Sequence, residues 1–105
     1  MEFTNIKNLY IGEIALAPAV VYTAPAVAGN QAQLTQCDIH NTGALASTVT
    51  VYHGNGSDVQ RFSVTLAAGD TLTLFTQLQL NAGQSLKAVS QYAGVNIFIE
   101  GREFI

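Results

Sequence analysis

The sequence predicts an all-β protein: an antiparallel β-sandwich of about eight strands, jelly-roll or Ig-like. Three observations predict it. Apolar and polar residues alternate in short runs rich in Val, Ile, Thr, Leu, Phe and Tyr, which is the two-residue period of a half-buried strand. Gly, Asn, Asp and Pro cut these runs roughly every 8–12 residues, the spacing of sandwiches and barrels. No stretch sustains the spacing of three and four that an amphipathic helix requires. With 105 residues, the chain is one domain's worth, and 1–105 reads as a single domain.

The elements follow in order. The first run covers residues 9–15 and ends near Pro18. The second, 20–23, is short and ends at Pro25; both prolines suit sheet edges or turns. The third, 34–41, places Cys37 and Ile39 on one face and Asp38 and His40 on the other. Leu34 is out of phase with Cys37, so a bulge is expected between them. Residues 41–44, Asn-Thr-Gly-Ala, form a turn. The fourth run, 48–53, turns Val49 and Val51 inward and Thr48, Thr50 and Tyr52 outward. Residues 54–58, Gly-Asn-Gly-Ser-Asp, give the strongest loop signal in the chain. The fifth run, 59–66, has Phe62, Val64 and Leu66 inward. After the turn at 67–70, the sixth run, 71–76, has Leu72 and Leu74 inward and Phe75 outward. Asn81-Ala82-Gly83 precedes a seventh run at 85–92. Ala93-Gly94 turns into the eighth, 95–102, where Val95, Ile97 and Ile99 share a face. The expected core is Ile14, Leu34, Cys37, Ile39, Val49, Val51, Phe62, Val64, Leu66, Leu72, Leu74, Leu86, Ala88, Val95, Ile97 and Ile99. Residues 1–8 read as a flexible or partner-binding arm carrying Phe3 and Ile6.

Composition narrows the function classes. Hydrophobic residues make up 49% of the chain and charged ones only 10%, against about 25% charged in ordinary soluble domains. The net charge is −3, with Lys7, Arg61, Lys87 and Arg102 the only basic residues besides the two histidines. So few cations argue against a phosphate-tracking nucleic-acid surface and against an anionic membrane surface. The longest near-apolar run, 14–21, is too short to span a bilayer. Met1-Glu2 opens without a basic segment, so no secretory leader is expected. Cys37 is the only cysteine, which excludes an intrachain disulfide.

Chemistry is sparse. A cupin-type metal site needs several histidines and a carboxylate converging on one spot, and only His40 and His53 are present. Asp38-x-His40 puts two ligand types on one strand face. If the third and fourth runs pair as a hairpin, however, the two histidines point to opposite sides of the sheet. No metal or other cofactor is expected. Cys37 lies in the apolar phase beside Asp38, a setting that raises a thiol pKa and disfavours a nucleophile. No Gly-x-Ser-x-Gly turn is present, and Gly54-x-Gly56 lacks the helix of a phosphate loop. Glu100 and Glu103 near the C-terminus suit capping the sheet or meeting a partner better than glycoside chemistry. The chain is expected not to be an enzyme.

Three aromatics, Tyr52, Phe75 and Phe98, fall in outward phases with few charges nearby. Their neighbours are Thr, Ser and Ala rather than Asp, Asn and Arg, which favours packing between subunits over a sugar-stacking platform. With Phe3 and Ile6 these are the interface candidates. Low charge and high apolar content predict self-association, because uncovered apolar patches usually mark interfaces. The loop at 54–58 and the arm at 1–8 are the segments best placed to reach a neighbour.

One resemblance extends this reading. Val21-Tyr22-Thr23-Ala24-Pro25-Ala26, a loop with Gly29, Ile39-His40-Asn41-Thr42-Gly43, Ala46-Ser47-Thr48-Val49-Thr50-Val51-Tyr52, Leu66-Ala67-Ala68-Gly69-Asp70-Thr71-Leu72 and a closing Gly101-x-Glu103 follow one another over residues 20–105. The succession resembles small structural proteins of tailed-bacteriophage virions: capsid decoration (cement) proteins, head fibres and tail modules. The resemblance implies a virion location with assembly in the host cytoplasm, a major capsid or other virion protein as partner, and a homotrimer on a three-fold axis. Decoration of the shell is the role expected. The alternative is a receptor- or carbohydrate-binding tail or tail-fibre module, and a cupin-like metal enzyme comes third. The first 17 residues show no anchoring helix or fibre repeat.

Overall fold

A computed structural model describes residues 2–54 and 58–105. Nine strands are present among them: β1 (Lys7–Glu13), β2 (Ala19–Thr23), β3 (Gln31–Asn41), β4 (Ser47–Gly54), β5 (Asp58–Leu66), β6 (Thr71–Phe75), β7 (Leu78–Asn81), β8 (Ser85–Ser90) and β9 (Val95–Phe104). They form two antiparallel sheets. One has the order β1-β9-β3-β6, with β7 also on β3; the other has the order β2-β8-β4-β5. The expected sandwich is present, with one strand more than the eight expected. The extra strand is β7, where Leu78 and Leu80 alternate with Gln79 over only four residues. It lies end to end with β6 along the same edge of β3. The turn expected at 54–58 falls largely on residues 55–57, outside the described residues.

Alternation builds the core. Leu34, Cys37, Ile39, Val49, Val51, Leu86, Ala88, Val95, Ile97 and Ile99 are all essentially inaccessible, and Ile14 and Leu66 are buried. Phe62, Val64, Leu72 and Leu74 are half-buried and pack against this cluster. The expected bulge on β3 is there: Leu34 faces Gly101 and Gln36 faces Glu100, so Thr35 is the extra residue and both Leu34 and Cys37 turn inward. At the same level the backbones come very close. A Cβ on Gly101 would lie 2.4 Å from the Gln33 carbonyl oxygen, so only glycine fits.

Two readings need correction. Phe75 does not face outward. Cys37 pairs with Phe75 and Asp38 with Thr73, so Leu74 is bulged and the phase of β6 reverses after it. Phe75 is therefore 9% exposed and stacks on Phe62, with ring centroids 5.3 Å apart. The turn after Asn41 is not a hairpin either. It carries the chain from one sheet to the other, since β3 pairs with β6, β7 and β9 while β4 pairs with β5 and β8.

The accessible surface is 5478 Å². A folded monomer of this mass is expected to have about 5,700 Å². The apolar groups left outside are therefore a property of the surface, not of a loosely closed fold.

Candidate assembly surfaces

Among the described residues, no three His, Cys, Asp or Glu side chains converge as a metal would require. His40 and Asp38 share the outer face of the first sheet, as the alternation predicts. Each is held by a threonine: His40 Nδ1 by Thr71, and Asp38 by Thr73, whose hydroxyl donates to it at 2.7 Å. His53 lies on the other sheet, with Nε2 3.4 Å from Gln84 Oε1. With Gly54, Val59, Arg61 and Gln84 it lines a cleft of about 260 Å³, smaller than the roughly 300–1,000 Å³ of drug-sized ligand sites. Cys37 is fully buried, and burial, reinforced by the Asp38 charge, pushes its thiol up to about 12.

The described surface instead presents apolar groups. Eleven large hydrophobic side chains are exposed, as many as the four basic and seven acidic residues of the whole chain together. Leu16, Leu45 and Tyr92 lie on three loops at the same end of the sandwich. Hydrogen bonds from Ser90 to Ala15, from Thr42 to Gly94 and from Gly69 to Asn41 bind these loops and the 67–70 turn together. The sequence of this end is Ala15-Leu16-Ala17, Ala44-Leu45-Ala46, Ala67-Ala68-Gly69-Asp70 and Tyr92-Ala93-Gly94. Asp70 is the one charged residue in these four segments.

Buried polar side chains hold this end in place. Asn41 is inaccessible; its amide donates to the Leu45 carbonyl at 2.8 Å and to the Leu66 carbonyl at 3.0 Å, and its Oδ1 accepts from the Gly43 N–H at 2.9 Å. Ser47 and Ser90 are joined at 2.8 Å. Ser90 donates to the Tyr92 carbonyl, and the Tyr92 N–H donates to Ser47. A Cβ on Gly94, whose φ is +101°, would lie 2.8 Å from the Gly43 nitrogen, so the two turns are in backbone contact. Asn41 reads from the sequence as the start of a turn. Its role in tying its own loop to the 67–70 turn depends on contacts with residues as far along as Leu66 and Asp70, which local pattern does not show.

The opposite end carries both termini. From Glu2 onward the segment expected as an arm runs antiparallel to the end of β9. Glu2 and Ile105 exchange two backbone hydrogen bonds, and Thr4 N donates to Glu103. The rings of Phe3 and Phe104 lie 5.0 Å apart, and Arg102 sits 4.4 Å above Phe3. Tyr22 on β2 donates to Glu103 on β9 at 2.6 Å, and Lys7 pairs with the same carboxylate at 3.4 Å. Burial first, then the hydrogen bond and charge of Glu103, hold the Tyr22 phenol well above its ordinary pKa. Glu103 therefore joins the two sheets.

Of the interface candidates, Phe3, Ile6 and Phe98 are exposed, Tyr52 is half-buried on the outer face of the second sheet, and Phe75 is in the core. Phe98 pairs across strands with Ile11, itself 58% exposed. The sequence reading missed Ile11, whose outward phase on β1 was its only signal.

No protein-family model matches the sequence. No curated protein matches it. Among solved structures, the chain is similar to one from Bacillus endospore appendages, a family of disulfide-linked pili, with a TM-score of 0.59 and 12% identity over 98% of this chain and 88% of that one. It is more distantly similar to a pentameric capsid protein isolated from metagenomic phage sequences, with a TM-score of 0.45 and 13% identity over 94% of this chain and 66% of that one. The appendage likeness, at 12% identity, shows the fold alone. The capsid likeness is too low to bear on the argument.

Proposed function

We propose that this chain is a non-catalytic structural subunit of a phage virion, a capsid decoration (cement) protein that stabilises the shell. It associates with copies of itself, as a trimer on a three-fold axis, and with the major capsid protein. The observation that carries the reading is the surface: eleven exposed large apolar side chains on a chain with eleven charged residues. Such a surface is suited to being covered, and its loop end is fixed by buried hydrogen bonds before any partner arrives, which lowers the ordering cost of docking. The strand order supports the jelly-roll alternative within the sandwich class. With β6 and β7 counted as one interrupted strand, each sheet has four strands, and every consecutive pair except the β4–β5 hairpin crosses between sheets, as in two interlocked Greek keys. The resemblance across residues 20–105 supplies the virion location.

A second reading, an appendage subunit, is favoured by the fold likeness over 98% of the chain. Linkage through disulfides does not suit this sequence, because Cys37 is its only cysteine and is fully buried. The tail-module reading is weakened by Phe75, which cannot stack on a sugar from the core. The test is sedimentation equilibrium together with a glycan array. The expected result is a mass above 11.1 kDa, lowered by Phe98→Asp, with no glycan selected. Specific glycan binding by a monomer would overturn the proposal.

A further inference from the structure

The four lateral strand edges are protected unequally. Natural sheets guard their edges with charge, proline, bulges or short strands, because an open edge is a template for another strand. β1 carries Lys7 and Glu13 and a bulge at Leu9. β2 has five residues, lies between Pro18 and Pro25 and is bulged at Val21. β6 and β7 are five and four residues long, and β6 is bulged. β5 is different. After its bulge at Arg61, the run Phe62-Ser63-Val64-Thr65-Leu66 pairs without interruption with Val51 back to Ser47. The run has no charge, proline or glycine, and among the described residues its other edge has no strand beside it. The side chains along this flank, Phe62 and Val64 of β5 and Leu72 and Leu74 of β6, are the half-buried margin of the core.

We propose that residues 62–66 of β5 pair antiparallel with the same residues of a second copy, about a two-fold axis at Val64. The register follows from the side chains. Opposed residues in an antiparallel pair share a face, so the pairing must match inward with inward. With Val64 on the axis, Phe62 meets Leu66 of the second copy and Ser63 meets Thr65, and every apolar residue of the run faces an apolar one. Moving the axis by one residue to Ser63 sets Leu66 against Gln60. β5 would meet in its copy the chemistry it already meets in β4, where Val64 faces Val49, Thr65 faces Thr48 and Ser63 faces Thr50. Identical strands also meet without like-charge repulsion, because the run is neutral. The contact deepens the self-association proposed above and rests on it. Being two-fold, it is separate from a three-fold contact and joins copies pairwise, free or between trimers.

The register makes a covalent test selective. Opposed residues have Cα atoms about 4.5–5.5 Å apart, within disulfide reach, whereas residues offset by two lie about 7–8 Å apart and beyond it. Chains carrying Ser63→Cys are mixed with chains carrying Thr65→Cys under a mild oxidant; the buried Cys37 does not compete. The expected result is two-chain crosslinking markedly faster in the mixture than in either variant alone, because opposed thiols lie within disulfide reach and offset ones lie beyond it. Val64→Lys added to both chains abolishes it, and Val20→Lys, on the β2 edge, leaves it unchanged. If the unsubstituted chain self-associates but the mixture crosslinks no faster than its components, the edge pairing is overturned and self-association stands. If the unsubstituted chain stays at one-chain mass throughout, both are overturned.

Discussion

The two ends of the sandwich are held by different physics. At the loop end, neutral groups do the holding: Asn41 and the Ser47–Ser90 pair are inaccessible and fully hydrogen-bonded. At the terminal end the holding groups ionise and are partly exposed: Lys7, Tyr22, Arg102 and Glu103. Buried neutral hydrogen bonds do not respond to salt or moderate pH, and losing one leaves polar groups stranded away from water. Exposed ion pairs are screened, and each contributes little. The loop end is therefore a stiff fixture and the terminal end an adjustable one. Stiffness coincides with the apolar, nearly uncharged surface suited to a partner.

The largest effect should come from removing the stiff hub. Asn41→Ala leaves the Leu45 and Leu66 carbonyls and the Gly43 N–H without their buried partner. The expected loss is about 3 kcal/mol, which at this size lowers the melting temperature by more than about 10 °C. Thermal denaturation at two salt concentrations should show the same loss in both. A loss under about 1 kcal/mol would mean that the loops are not tied through Asn41.

The next effect is at the terminal end. Tyr22→Phe removes the hydrogen bond that joins the sheets through Glu103 and should cost about 1 kcal/mol near neutral pH. It should also change the alkaline limb. The Tyr22 pKa is raised in the folded state, so its contribution is complete below pH ~10, its unfolded value, and is lost as pH rises beyond that. The variant should lose less stability above pH 10 than the parent. Part of the decline should remain, beginning near pH 9, because Cys37 is raised from 9.0 to about 12. Identical alkaline limbs in the two proteins would remove Tyr22 from the joint.

The smallest effect is Lys7→Ala. Its ion pair with Glu103 spans 3.4 Å, with the lysine side chain 53% exposed. The expected cost is under about 0.5 kcal/mol, and it should vanish in high salt. A larger, salt-insensitive cost would erase the contrast between the ends.

The sandwich was legible in the sequence because alternation with a period of two reports which face of a strand meets the core. Twelve of the expected core residues, among them Leu34, Cys37 and Ile99, are buried for that reason. The bulge between Leu34 and Cys37 could be read because both ends of the phase shift are apolar. The one after Thr73 could not, because Leu72, Leu74 and Phe75 are all apolar and any of them can be the inward one. That ambiguity misplaced Phe75. The strand β7 escaped notice because four residues hold only one full alternation. Which strands share a sheet is a long-range fact, and the same holds for the loop hub and the Tyr22–Glu103 joint, whose partners lie 81 residues apart.

The central claim is that this chain acts by covering and being covered on a virion shell. Electron cryomicroscopy of purified particles tests it most directly, with the sandwich fitted into the map. The account predicts regular copies on the outer face of the shell, in contact with the major capsid protein and with one another. Particles that lack the chain, or that carry it only at the tip of a tail, would contradict it.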